Sequence, residues 1–300
     1  MASTEKWLSI FLLFLCLAFN LKSRLENRNL TELIHAENSF AKKAFETSIK
    51  TAFLENLDSS GVLFNNAKPV NGILAYTQTP DRREELLSWY PTMAHVSSAG
   101  DLGFTSGPYQ FFAERGKEPV GSGYFFSIWK RNAAGKFKVI LDAGVPGLKD
   151  HANAFERSPR PDSTDYDFLP MTYSPNTKKE EPWESEKTFT ELAKTDPDKA
   201  YDAFLAENSL LLWNDRQAGL SKSTNLATLA AEKIGSCGFA ITDRGMSQSA
   251  DLAYCYGEVT LGKGTNARRG FFVRVWHFQE AGWKIVTEEI SLTQRRNPSH

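Results

Sequence analysis

Apolar residues at Phe40, Ala44, Phe45, Ile49, Phe53 and Leu57 recur at three- and four-residue steps, which places them on one face of a helical stretch. The same pattern returns about 150 residues later, at the spacing of a tandem repeat. Glu37-Asn38-Ser39-Phe40 parallels Glu186-Lys187-Thr188-Phe189, and Ala52-Phe53-Leu54-Glu55-Asn56 parallels Ala203-Phe204-Leu205-Ala206-Glu207. Asp196-Pro197 reads as a helix restart in the second copy.

The period then changes to two. Asp101-Leu102-Gly103-Phe104-Thr105-Ser106-Gly107 parallels Asp251-Leu252-Ala253-Tyr254-Cys255-Tyr256-Gly257, each after a Ser/Ala-rich turn, and both read as strands leaving hairpins. Gly123-Tyr124-Phe125-Phe126-Ser127-Ile128-Trp129 matches Gly270-Phe271-Phe272-Val273-Arg274-Val275-Trp276. Gly135 and Gly282 then sit in turns between two long strands. Phe125, Ser127 and Trp129 lie on one strand face and Tyr124, Phe126 and Ile128 on the other, so both faces of the sheet need cover. One face would meet the helices, and the two copies could cover each other's second face.

These patterns divide the chain into a first domain over 30–145, a connecting stretch over 146–182 rich in Pro, Asp, Ser and Lys, and a second domain over 183–293. Tyr166, Phe168 and Tyr173 could pin part of the connector to a domain. At the N-terminus, Lys6, the apolar run Trp7 to Phe19 and Cys16-Leu17-Ala18 read as a signal peptide over 1–20, giving an exported, periplasmic or secreted protein. A retained N-terminal anchor, followed by Lys22 and Arg24, is the alternative. With 35 Lys and Arg against 36 Asp and Glu, the chain has no electrostatic footprint for nucleic acid or an anionic membrane. Export would permit Cys237 and Cys255 to pair, but their unequal distances from the hairpin turn favour reading them as two small buried residues.

Ser98-Ala99-Gly100-Asp101-Leu102-Gly103-Phe104-Thr105-Ser106-Gly107, with Ile128-Trp129-Lys130-Arg131, Lys138 and Asp142-Ala143-Gly144, resembles the SnoaL-like, ketosteroid-isomerase-like branch of the nuclear transport factor 2-like superfamily. The likeness spans nearly all of the chain after its first segment. It implies an α+β fold: two tandem cone-shaped domains, each with N-terminal helices packed on a strongly curved antiparallel sheet. An intrachain pseudo-dimer, monomeric as a chain, follows from the two-faced strands. The same resemblance places a tyrosine near Phe40 and Phe189, a base near Asn65 and Asn214, and a strand acid near Ser127 and Arg274. None of these residues can perform the corresponding role, which disfavours steroid-type isomerisation.

No metal, phosphate-loop or nucleophile-elbow spacing appears, so no cofactor or metal is expected. Candidate ligand-pocket residues are Asn65, Tyr76, Trp89, His95 and Ser127 in the first copy. Trp213, Asn214, Arg274 and Glu288 are the candidates in the second. His95 could act as a general base oriented by Asp101 or Tyr76, whereas His277, between Trp276 and Phe278, reads as a surface strand residue. Arg274 needs an anion or a carboxylate partner, and Glu288 on the next strand would make an ordinary cross-strand pair. The corresponding first-copy positions hold Ser127 and Asp142, a less basic pair. Three functions remain open: binding of a small apolar or carboxylate-bearing ligand, a cofactor-free lyase, isomerase or cyclase using His95 or Asp142, and a structural module with filled cones.

Overall fold

The computed structural model describes residues 28–147 and 181–293; the stretch 1–20 read as a signal peptide and nearly all of the connector lie outside the described residues. The first domain opens with helix α1 (28–46) and α2 (Ile49–Asn56). Strand β1 (Leu57–Asn65), β2 (Lys68–Asn71), helix α3 (Gly72–Gln78), β3 (Leu86–Trp89) and β4 (Met93–Val96) follow. Three long strands close the domain: β5 (Leu102–Phe112), β6 (Gly121–Arg131) and β7 (Phe137–Pro146). The second domain repeats the plan with α4 (Pro182–Ala193), α5 (Pro197–Phe204), β8 (Leu205–Trp213) and α6 (Lys222–Ala231). It ends in β9 (Cys237–Met246), β10 (Leu252–Leu261), β11 (Arg268–Gln279) and β12 (Gly282–Leu292).

The helical stretch is two helices, not one continuous face. Ser48 is extended (φ −154°) and its hydroxyl accepts from the Thr51 N–H, so it caps a new helix at Ile49. Phe45 is consequently exposed, and Leu57 opens β1. Asp196 caps α5 in the same way, through Lys199 N–H. Aligning the two caps pairs Ala52 with Ala200 and Phe53 with Tyr201, so the sequence match of Ala52-Phe53 to Ala203-Phe204 is out of register.

The sheet orders are β2-β1-β7-β6-β5-β3, with β4 also on β5, and β8-β12-β11-β10-β9. Neither sheet is wholly antiparallel, because β1 runs parallel to β7 and β8 parallel to β12. Register shifts fall at the same place in each copy, Ile128/Trp129 on β6 and Val275/Trp276 on β11. Such bulges bend a strand and raise its twist, which curls each sheet around its helices. The copies differ at Pro91, which separates β3 from β4 where the second domain has the single strand β9.

Alternation along β6 is realised on both faces. Phe125 and Trp129 join Phe40, Phe53 and Trp89 inside the first cone, while Phe126 and Ile128 face the other sheet. On β11, Phe272 and Trp276 point into the second cone and Phe271, Val273 and Val275 pack across the boundary. The two sheets therefore share one apolar layer, and the chain folds as an intrachain pseudo-dimer.

The repeated hairpin turns lock the copies together by exchanging hydrogen bonds. Ser98 N–H donates to Asp251 Oδ2 at 2.9 Å, and Gln248 N–H donates to Asp101 Oδ2 at 3.0 Å. Each aspartate also braces its own turn, accepting from Ser97 and Ser247 hydroxyls respectively, both at 2.9 Å. Burial alone would raise the Asp251 pKa, but hydrogen bonds from Ser249, Ser98 and Ser247 outweigh it and hold the carboxyl at about 2.

Asp251→Ala should therefore lower the unfolding free energy in urea by about 2 kcal/mol, the scale of hydrogen bonds to a buried charge. Because the folded value lies below the unfolded 3.8, the contribution is complete above that pH and disappears as pH falls towards about 2. Wild type and variant should thus converge in acid; a constant gap down to that pH would exclude this role.

Candidate functional site

The interior of the second cone is occupied by a buried ionic cluster. Arg274, on β11, donates Nε–H to Glu288 Oε1 at 2.8 Å, with a second bond from Nη2 to the same oxygen, and Nη1 reaches Glu186 Oε1. The guanidinium carbon lies 4.2, 4.3 and 4.8 Å from the ring centroids of Phe189, Phe239 and Phe272. Tyr201 hydroxyl donates to Glu288 Oε2 and Trp276 indole N–H to Glu186 Oε2, each at 2.6 Å. Burial works against the charge on Arg274, yet the Glu186 and Glu288 carboxylates outweigh it and hold the guanidinium protonated.

The first cone keeps the same scaffold with a different centre. Glu37 replaces Glu186 on the first helix and accepts from Trp89 Nε1 (2.6 Å), Trp129 Nε1 (3.0 Å) and Thr105 Oγ1 (2.5 Å). Phe53 stands where Tyr201 stands, Ser127 where Arg274 stands, and Asp142 where Glu288 stands. Ser127 hydroxyl donates to Asp142 Oδ2 at 2.7 Å, which leaves Asp142 without a cation. A cavity of about 900 Å³ opens over Asp142, walled by Phe53, Tyr76, Leu87, Trp89 and Tyr109. Tyr76 stacks on Phe53 with centroids 4.5 Å apart.

The cavity's electrostatics follow from apolar walls with no cationic side chain among the residues that line it. Burial raises Asp142 to about 7, against the lowering effect of the Ser127 hydrogen bond and with a further push from Glu37. Burial likewise raises Tyr109 to about 12 and Tyr76 higher still, with Glu289 and Asp142 adding to the respective shifts. Around neutrality Asp142 can thus act as a hydrogen-bond donor or as a proton acceptor, and both phenols stay neutral. Among the described residues no group of His, Cys, Asp and Glu could hold a metal, and no helix is long and apolar enough to cross a membrane.

Solved structures similar to this chain include proteins described as NTF2-like, ketosteroid isomerase-like and cystatin-like. An NTF-2 like protein of unknown function from Shewanella oneidensis is 16% identical, with 37% of this chain and 96% of that chain covered and a TM-score of 0.32. A ketosteroid isomerase-like protein from Erwinia carotovora is 14% identical over 38% of this chain and 95% of its own, with a TM-score of 0.33. A cystatin-like fold protein of unknown function from Nostoc punctiforme is 13% identical, covering 38% and 90%, with a TM-score of 0.31. No family model matches the sequence, and no curated protein matches it. The tandem cones themselves stand on the strand orders and registers of the two sheets.

The candidate residues read from sequence do not all converge. Tyr76 and Trp89 line the first cavity, and Ser127 lies behind it, bonded to Asp142. Asn65 is exposed at the β1–β2 turn, where the neighbouring Asn66 reaches the cavity instead. His95 lies on the boundary between the cones, with its ring centroid 4.9 Å from that of His277 and away from Tyr76, so it cannot serve the cavity as a base. Asp101, its suggested orienting group, belongs to the hairpin exchange. His277 is 2% exposed and is not a surface residue, because the first domain covers its face. In the second cone Trp213 is core, Asn214 is tied to the Leu292 backbone, and Arg274 with Glu288 forms the buried pair. Cys237 and Cys255 are free and buried.

Glu37, Glu186 and Tyr201 escaped the sequence reading. Their signal was present: in both copies a carboxylate precedes a buried phenylalanine, Phe40 or Phe189, by one helical turn, and so lies on the apolar face.

Arg274→Met should cost about 3–5 kcal/mol in urea unfolding, because it strands the Glu186 and Glu288 carboxylates. Asp142→Asn should act in the opposite direction. Since the folded pKa of about 7 exceeds the unfolded 3.8, ionising Asp142 penalises the wild type progressively across that interval. The variant should be the more stable protein above neutrality and equal to wild type in acid; parallel pH–stability curves would refute the shift.

Proposed function

We propose that the first domain is a binding module for a small, largely apolar, uncharged ligand, with the second domain as its filled structural partner. The observation that supports this reading is the unfilled cavity over Asp142, at the position where the second cone holds Arg274 against Glu288. Its size falls within the roughly 300–1,000 Å³ of small-molecule sites, and its walls are mainly aromatic with a few converging polar groups. A carboxylate-bearing ligand fits less well, because the interior Arg274 is already paired with two carboxylates.

A second reading rests on Asp142 alone. A carboxyl that titrates near neutrality beside an apolar chamber suits proton transfer in a cofactor-free lyase, isomerase or cyclase. Export fits both readings, on Lys6 and the run Trp7 to Phe19, and each sheet having its partner within the chain supports a monomeric chain.

The neutral apolar dye N-phenyl-1-naphthylamine should bind the chain saturably, at one site, with a fluorescence gain. Ser127→Arg, which installs the second cone's residue beside Asp142, should weaken that binding at least tenfold without loss of helical signal. Equal dye binding by the variant would place the dye elsewhere and overturn the reading.

A further inference from the structure

The cavity over Asp142 is not enclosed by the first domain alone. Phe271 from the start of β11 and Ser291, Leu292 and Thr293 from the end of β12 also face it. Each of these is held by the second domain's own hydrogen bonding. Phe271 and Ser291 are cross-strand partners, and Gly270 pairs with Leu292. Asn214 brackets Leu292, accepting its N–H at 2.7 Å and donating to its carbonyl at 3.3 Å. Thr293 ties back to the Arg269 carbonyl through both its N–H (2.9 Å) and its hydroxyl (2.8 Å).

The first domain reaches towards this wall with a paired β1–β2 hairpin, where its sister copy has only the isolated antiparallel bridge Leu211–Gly219 after β8. The β1–β2 hairpin turns at Asn66 and Ala67, both at positive φ (50° and 61°), between the closing pair Asn65 and Lys68. Left-handed alanine is a strained choice that needs surrounding contacts to hold it. Those contacts are at hand: Ala67 packs on the apolar layer between the sheets, and Phe64 stacks face to face on Phe271, centroids 3.7 Å apart and planes 4° from parallel. Phe64 also meets the edge of Tyr256 at 5.9 Å. The hairpin and the β11–β12 end are therefore joined by an aromatic clasp at the rim of the cavity. Burial raises Tyr109, and the Glu289 carboxyl, buried on the β12 face towards the first domain, adds to that shift across the same boundary.

We infer that the binding pocket is a composite of both domains, in which the β12 end of the filled second cone, Ser291 to Thr293 with Phe271, forms the wall that sets which ligand fits. This rests on the ligand-binding reading above and adds a selecting role for the domain whose own interior is closed. The ligand class follows from the two walls: an uncharged molecule with an apolar body to lie among Phe53, Tyr76 and Trp89, and one hydrogen-bonding group at Asp142. Its opposite end would lie against Phe271 and the Ser291 hydroxyl.

The test uses the full chain and the same naphthylamine dye, with Ser127→Arg and Ser291→Trp compared in parallel and far-ultraviolet circular dichroism and melting as controls. Both variants should weaken dye binding at least tenfold while remaining folded. Thr293→Trp, at an exposed position, replaces Ser291→Trp if that variant melts early, with the same expectation. If Ser127→Arg abolishes binding but the folded second-domain variant binds like wild type, the composite site is overturned and the first-domain pocket survives. If neither variant affects binding, the pocket reading and the composite site fall together.

Discussion

The organising constraint of this protein is that its central strands are apolar on both faces. A sheet with Phe125 and Trp129 on one side and Phe126 and Ile128 on the other cannot face water on either. Helices α1 and α2 cover the first side, and only another sheet of the same kind covers the second. Duplication within one chain supplies that sheet at a fixed ratio and high effective concentration. The hairpin turns then fix its placement, because Asp101 and Asp251 each accept a backbone N–H from the opposite copy. Position of the sheets and location of the cavity rim follow from that shared layer.

Within this frame the copies have diverged chiefly in what their cones contain. Both retain a carboxylate on the first helix, a tryptophan donating to it, and a second acid on the last strand. In the second copy Arg274 compensates two acids and packs among three rings, giving a closed polar core that is costly to break. In the first, Ser127 satisfies Asp142 with one hydrogen bond and leaves its charge uncompensated. Burial raises that acid with no cation beside it to offset the effect, and the volume for a ligand opens directly over it.

Much of this was legible in the sequence. Two-residue alternation on both faces of β6 and β11 implied paired sheets, and the Arg274–Glu288 pair followed from neighbouring strands. The contrast of Ser127 and Asp142 with Arg274 and Glu288 was visible from the repeat. What could not be read depends on packing. Glu37 and Glu186 look like ordinary helix carboxylates until the facing tryptophans are placed. His277 looks like a surface residue and His95 like a pocket base until the other domain is packed against them. The helix register was misjudged because Ser48 and Asp196 restart the helices, and caps interrupt a periodicity that sequence alone prolongs. That Tyr201 meets Glu288 where the first copy has Phe53 is visible only once that register is corrected.

The ionisation of Asp142 is the most direct measure of whether the first cone holds an uncompensated acid beneath a chamber. Carbon-13 NMR of the aspartate side-chain carboxyl, titrated in wild type and in Ser127→Arg, reports it residue by residue. The expected result is a midpoint at about 7 in wild type that falls below the ordinary aspartate value once the arginine is present. A wild-type midpoint near 4, unchanged by the substitution, would contradict it.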